Sequence, residues 1–236
     1  MGEDVGTPNP RKNSEVATDS DSNGYHIWTG ADFGIYMSRS TDSGNSWEQD
    51  SIRISPVEVI STTFPQIDAG DPGRIAITYL GSENSSELGL NDIDGNNWTG
   101  NPHFATNNIT YYLYITYSLN ALDANPVFHT VRVSPDPVQV GSICLNSGDC
   151  RDIGGSNRNL LDFNDLTIDR EGRVYVAFAD GCTGDCSTME NPQPEDSRSR
   201  LGSVYFLSSG PSLYLEKGEL PPFTLSPPKA TINRDD

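Results

Sequence analysis

The residues with chemical potential fall into a few short segments. Ser40, Asp42, Gly44 and Trp47 stand in STDSGNSW, an S-x-D-x-G-x-x-W pattern. An aspartate so placed can accept hydrogen bonds from backbone N–H groups of its own turn, and the glycine two positions on can take a positive φ. The pattern predicts a stapled turn whose tryptophan opens the next strand and packs against the sheet. A ligand or metal role for Asp42 is the alternative. Arg158, Asp162 and Asp165 lie in RNLLDFND, just ahead of a strand-like run, while Tyr79, Asp180 and Asp185 belong to the ends or loops of two other runs. Paired carboxylates could serve as acid and base, one with its pKa raised by burial or by its neighbour. They could instead hold a hard cation such as Ca²⁺, for which Asp180 and Asp185 are the candidates, or cap strands through backbone hydrogen bonds. No other cofactor is expected.

Four cysteines form two close pairs: Cys144 with Cys150 in CLNSGDC, and Cys182 with Cys186 in CTGDC. Four cysteines permit three pairings, of which the two local ones are sterically simplest. The spacings do not suit a zinc site, and His26, His103 and His129 are remote in sequence. Disulfides imply an oxidising, extracellular setting, and the sequons at Asn84, Asn97 and Asn108 agree with it.

The elements that must position these residues repeat three times. GYHIWTGA (24–31), GRIAITYLG (73–81) and GRVYVAFADG (172–181) each follow a Gly-led turn. Each is preceded by a shorter Asp-containing strand: EVATDSD, FPQIDAGD or DLTIDRE. Each is followed by two more strand-like runs: GIYMSRS and WEQDSIRIS, TYYLYITYSL and VFHTVRVS, GSVYFLSS and SLYLEKG. Four strands repeated three times read as an all-β protein, a β-propeller with three four-stranded blades at about 16–55, 63–134 and 160–217. The expected organisation is a flexible segment 1–15, a single domain 16–220 and a flexible proline-rich tail 221–236.

With STDSGNSW, FPQIDAGDPGRIAITYLGS, DPVQVGSICLNSGDC and NLLDFNDLTIDREGRVYVAFADGCTGDC in view, residues 16–215 resemble the Asp-box (BNR-repeat) propellers of the sialidase superfamily. More narrowly, the chain is similar to the C-terminal half of secreted microbial sialidase-like proteins, in which further blades precede this region. The resemblance implies a partial propeller, or half of a six-bladed ring that two copies would complete. A working sialidase of that family uses three arginines for the substrate carboxylate, a Tyr–Glu nucleophile pair and an acid/base Asp. The F/Y-R-I-P motif that supplies its first arginine is missing here, and Arg74 and Arg173 fall in turns at the wrong end. The expectation is therefore a non-catalytic module that binds a glycan or a cell-surface partner. The alternatives are an exo-sialidase-type glycoside hydrolase that needs the missing blades, and a self-assembling structural module.

In such a fold the loops after the second and fourth strands share one end. The three long insertions, residues 81–108, 134–159 and 181–201, all follow such strands, which places function at that end. The formal net charge of −18, from 33 acidic and 15 basic residues, repels phosphate backbones and anionic membranes, so nucleic acid is excluded as a partner. No run of apolar residues reaches the roughly 20 that a membrane helix needs.

Overall fold

The structure, a computed structural model, describes residues 14–92, 95–145, 160, 164–188 and 201–220. Arg158, Asp162 and Cys150 lie outside them, as do residues 1–13 and 221–236.

The described chain is all-β, built of antiparallel sheets that do not close on themselves. The first sheet has the order β1 (Glu15–Thr18), β2 (Gly24–Thr29), β3 (Ile35–Ser40) and β4 (Ile52–Arg53). The second runs β5 (Ser61–Ala69), β6 (Ile75–Ser82), β7 (Thr110–Ser118) and β8 (His129–Arg132), with the two-residue β9 (Gln139–Val140) also paired to β7. The third comprises β10 (Asn164–Ile168), β11 (Val174–Asp180) and β12 (Leu201–Phe206). A two-stranded pair, β13 (Gly210–Pro211) and β14 (Glu219–Leu220), follows. The only α-helical residues among those described are one turn, Asp185–Thr188.

Strand β6 explains the stacking. A strand with one wet face alternates apolar and polar residues, but all eight residues of IAITYLGS are buried. Ile75, Ile77 and Tyr79 meet Tyr25, Ile27, Ile35 and Met37 of the first sheet. From the other face, Ala76 and Leu80 meet Val174, Val176 and Phe178 of the third. The first strands of the sheets lie side by side, with β5 packed between β1 and β10.

Turns after the first strands gather at one end and tie the sheets together. Asp19 Oδ1 accepts the N–H groups of Asp21 and Asn23, both at 3.0 Å. Asp169 Oδ1 repeats this with Glu171 and Arg173, both at 2.9 Å. The Tyr25 hydroxyl donates to Asp19 Oδ2 at 2.6 Å and accepts the Gly73 N–H at 2.9 Å, which couples the first and second sheets. Burial works to raise the Asp19 carboxyl, but hydrogen bonds from Tyr25 and Asn23 outweigh it and hold the group below its ordinary range.

Two expectations for the strands change. SLYLEKG does not extend the third sheet; its centre is a 3₁₀ turn, Leu215–Lys217. Its N–H groups go to neighbouring turns instead of to β12. Leu213 donates to the Gly172 carbonyl at 3.0 Å, and Leu215 donates to Asp71 Oδ2 at 2.6 Å. In WEQDSIRIS only Ile52–Arg53 form a strand beside β3, and Trp47 sits in a loop instead of opening a strand.

Gly172 adopts φ +82°, and a Cβ there would fall 1.9 Å from Ser212 Oγ and 2.7 Å from the Leu213 nitrogen. Gly172→Ala should therefore destabilise the protein by roughly 3 kcal/mol, combining a strained φ with a backbone clash. Urea unfolding read by far-UV circular dichroism checks it. A change below roughly 0.5 kcal/mol would mean that the third-sheet turn does not pack on residues 212–213 as described.

Candidate functional site

The end opposite those turns is built from the insertions. In the first of them Trp98 is 2% exposed, and its Nε1 donates to the Asn101 carbonyl at 2.9 Å. That places the 3₁₀ turn Pro102–Phe104, whose Pro102 carbonyl accepts the Ile143 N–H at 2.9 Å from the second insertion. The Leu145 N–H donates to His103 Nδ1 at 3.3 Å. Gly181, at the start of the third insertion, donates its N–H to the Val138 carbonyl at 2.9 Å. The Cys182–Cys186 disulfide closes the next loop and is buried with Val140 of β9. Cys144 is also disulfide-bonded. Three separate stretches of chain thus form one packed platform at this end.

Among the sequence-derived candidates, Asp165 is exposed at the start of β10. It lies beside Asn164 in an open groove of about 330 Å³, walled by Ala177, Phe178, Ala179 and Gly202. Asp180 Oδ1 accepts the Cys182 N–H at 3.0 Å, so this carboxylate holds the disulfide loop against the end of β11. Asp185 is exposed and begins the helical turn within that loop. No group of three or more His, Cys, Asp or Glu side chains among the described residues is placed to hold a metal ion.

Tyr79 is a different case. It is fully buried, stacks on Tyr114 with ring centroids 5.6 Å apart, and shares a hydrogen bond of 3.1 Å with Thr116 Oγ1. Burial pushes its hydroxyl up to about 12, with the Thr116 hydrogen bond opposing that rise. Its position near a loop end suggested a surface role, but its alternation along β6 turns it into the core.

The STDSGNSW turn forms a closed local network. The Ser46 N–H and hydroxyl donate to Asp42 Oδ1 and Oδ2 at 2.8 and 2.6 Å. Ser40 Oγ donates to Asp42 Oδ1 and accepts the Gly44 N–H, both at 2.9 Å. Gly44 has φ +84°. Trp47 packs over Gly24, where a Cβ would lie 2.8 Å from the indole, and meets His26 edge-on. Hydrogen bonds from Ser46 and then Ser40 hold the Asp42 carboxyl below its ordinary range. Both carboxylate oxygens of Asp42 are thus engaged within the turn itself.

Two acidic positions escaped the sequence reading. Asp68, on β5, accepts the Ala69 N–H at 2.8 Å and the Ile168 N–H at 3.1 Å, bridging the second and third sheets. Burial raises its pKa despite these hydrogen bonds, and the charge of Asp165 adds to the rise. Its place as an inward residue of a first strand beside another first strand was the available signal. Asp32 accepts the Tyr36 hydroxyl at 2.8 Å and the Gly34 N–H at 3.1 Å, and pairs with Arg53, beside an open pocket of about 350 Å³ lined also by Trp28, Gly30 and Ser51. Only tertiary pairing of β3 with β4 brings Arg53 there.

Among the described residues, four arginines that could meet a carboxylate substrate have other partners. Arg39 binds Glu48 and the carbonyls of Ala121 and Asp123. Arg53 binds Asp32, Arg74 donates to the Ser212 carbonyl, and Arg173 donates to that of Leu207. No known protein family matches this sequence. No curated protein matches it either. No helix among the described residues is long and apolar enough to cross a membrane.

Asp68 gives the site a pH signature. A carboxyl whose folded pKa lies above its ordinary value of 3.8 costs stability once it ionises. The cost is absent below 3.8, grows as pH rises toward the folded pKa, and is full above it. Asp68→Asn should therefore be as stable as the parent or more so at pH 7, with its advantage shrinking as pH falls toward 4. Thermal midpoints measured from pH 3.5 to 7 test this. A variant less stable at pH 7 than at pH 4, relative to the parent, would show the carboxylate to be favoured in the fold.

Proposed function

We propose that the chain is a non-catalytic binding module of the secreted sialidase-like kind, built as three blades of an Asp-box β-propeller. The observation that carries this reading is the repeated stacking. Three antiparallel meanders adjoin through their first strands, and the first-strand turns share one end while the elaborated loops share the other. The self-contained hydrogen bonding of Ser40, Asp42, Gly44 and Ser46 supports the Asp-box assignment. Disulfide-bonded Cys182–Cys186 and Cys144 support a secreted setting.

The ligand surface is the groove beside Asp165, and a neutral or cationic glycan suits it better than an anionic one. Asp165 is an exposed hydrogen-bond acceptor beside small residues that admit a ligand. Among the described residues, Arg39, Arg74 and Arg173, which could bind a sialoside carboxylate, are held in structural bonds elsewhere. A second reading, an exo-sialidase-type glycoside hydrolase completed by further blades, draws support from the raised Asp68 carboxyl on a first strand.

A glycan array with sialylated and neutral oligosaccharides, paired with a fluorogenic sialoside assay, separates these readings. The module reading expects binding to at least one glycan class, weakened about tenfold or more in Asp165→Ala, and no turnover above buffer. Turnover that Asp165→Ala or Asp68→Asn removes would replace it with the hydrolase. Neither binding nor turnover would overturn both.

A further inference from the structure

The three sheets end differently at their outer edges. In the first sheet the last strand, β4, is only two residues long. In the second, β8 carries the exposed side chains of His129 and Arg132. Short edge strands and charged edge residues both discourage further pairing. The third sheet has neither protection. It stops one strand short, because the N–H groups of SLYLEKG go to Gly172 and Asp71. Its outer strand is β12, six residues of sequence LGSVYF without charge or proline. Among the described residues, only β11 pairs with it.

The ladder decides which main-chain groups of β12 are left over. The Leu207 N–H donates to the Val174 carbonyl at 3.1 Å, directly across from it. Hydrogen-bonded pairs alternate along an antiparallel ladder. Tyr205, Ser203 and Leu201 therefore aim their N–H and C=O groups at Val176, Phe178 and Asp180. Gly202 and Val204 aim theirs outward, where no described strand receives them. The side chains at this edge are open as well. Leu201 and Val204 are 60% and 62% exposed, and a Cβ on Gly202 would have no neighbour within 4 Å beyond the adjoining residues.

We infer that β12 pairs antiparallel with β12 of a second copy, about a two-fold axis at Ser203, joining two third sheets edge to edge. A two-fold contact must be self-complementary, and this segment is. With Ser203 opposite its own counterpart, Gly202 of each copy lies opposite Val204 of the other. The outward groups of both strands then form about four hydrogen bonds. Each Val204 side chain covers the place where the opposite glycine has none, and each exposed Leu201 meets Tyr205 across the strands. Charge selects this edge. At −18 per chain the protein repels its own copies, but β12 brings no charge of its own to the contact. Pairing confined to one strand on each side makes a weak, reversible dimer.

Sedimentation velocity over a concentration series reads the association. The expected result is a reversible shift from 25.7 kDa toward twice that mass, strengthened by added salt. Val204→Pro removes an outward N–H and no bond to β11, so it should weaken association about tenfold or more while keeping the parent circular dichroism spectrum. Val204→Lys keeps that N–H but sets charge at the edge, and should weaken association likewise. Ser203→Cys places two thiols at a non-hydrogen-bonded pair, with Cα atoms about 4.5 Å apart, and mild oxidation should trap a covalent dimer. A monomer at every concentration and salt would overturn the inference. So would a dimer unmoved by both Val204 variants, or the absence of a Ser203→Cys cross-link. Glycan binding by a monomer would remove only this inference, and a dimer that binds no glycan would remove only the module reading.

Discussion

Strand β6 has no face to give to water. All eight of its residues are buried, and the side chains that alternate along it are apolar or hydrogen-bonded on both sides. Each fully buried Ile, Leu or Tyr there contributes on the order of 1.5–3 kcal/mol relative to exposure. The second sheet therefore requires another sheet on either side, and the first and third sheets supply them. The two main cores are the two faces of that one sheet.

Apolar burial does not by itself set how the sheets are staggered. Hydrogen bonds at the turn end do this. The Gly73 N–H reaches the Tyr25 hydroxyl, the Ile168 N–H reaches Asp68, and Arg74 and Asp71 reach residues 212–215. Each joins one repeat to another. Where these groups are buried, a shift of one sheet along another would leave them unpaired, at about 1–3 kcal/mol per group. Stacking and stagger together hold the opposite end still enough for three insertions to build one surface.

The repeat was legible because its signals are local. Gly-led turns, strand-length runs and STDSGNSW mark strands β1 to β3, β5 to β8 and β10 to β12 within a few residues. Partners distant in sequence were not legible. SLYLEKG has strand composition, yet Asp71 and Gly172 take its N–H groups and bend it into a 3₁₀ turn. The two residues of β9 are too few to leave a pattern. Tyr79 looked like a loop-end residue because alternation in a doubly buried strand carries no polar face to orient it. Asp68 looked like an ordinary strand aspartate, since its bridge to Ile168 spans 100 residues. The Cys182–Cys186 pair was legible as a local loop, but not that this loop would pack on β9.

The central claim is that burial of both faces of β6 binds the three sheets into one cooperative unit. Site-resolved amide hydrogen exchange measures this most directly. The account predicts that amides of Ala76 to Leu80 exchange only through global unfolding, and that the paired amides of Ile27 in β2 and Val176 in β11 share that opening free energy. Exchange at Val176 or Ile27 through a separate opening, several kcal/mol easier than that of β6, would contradict it.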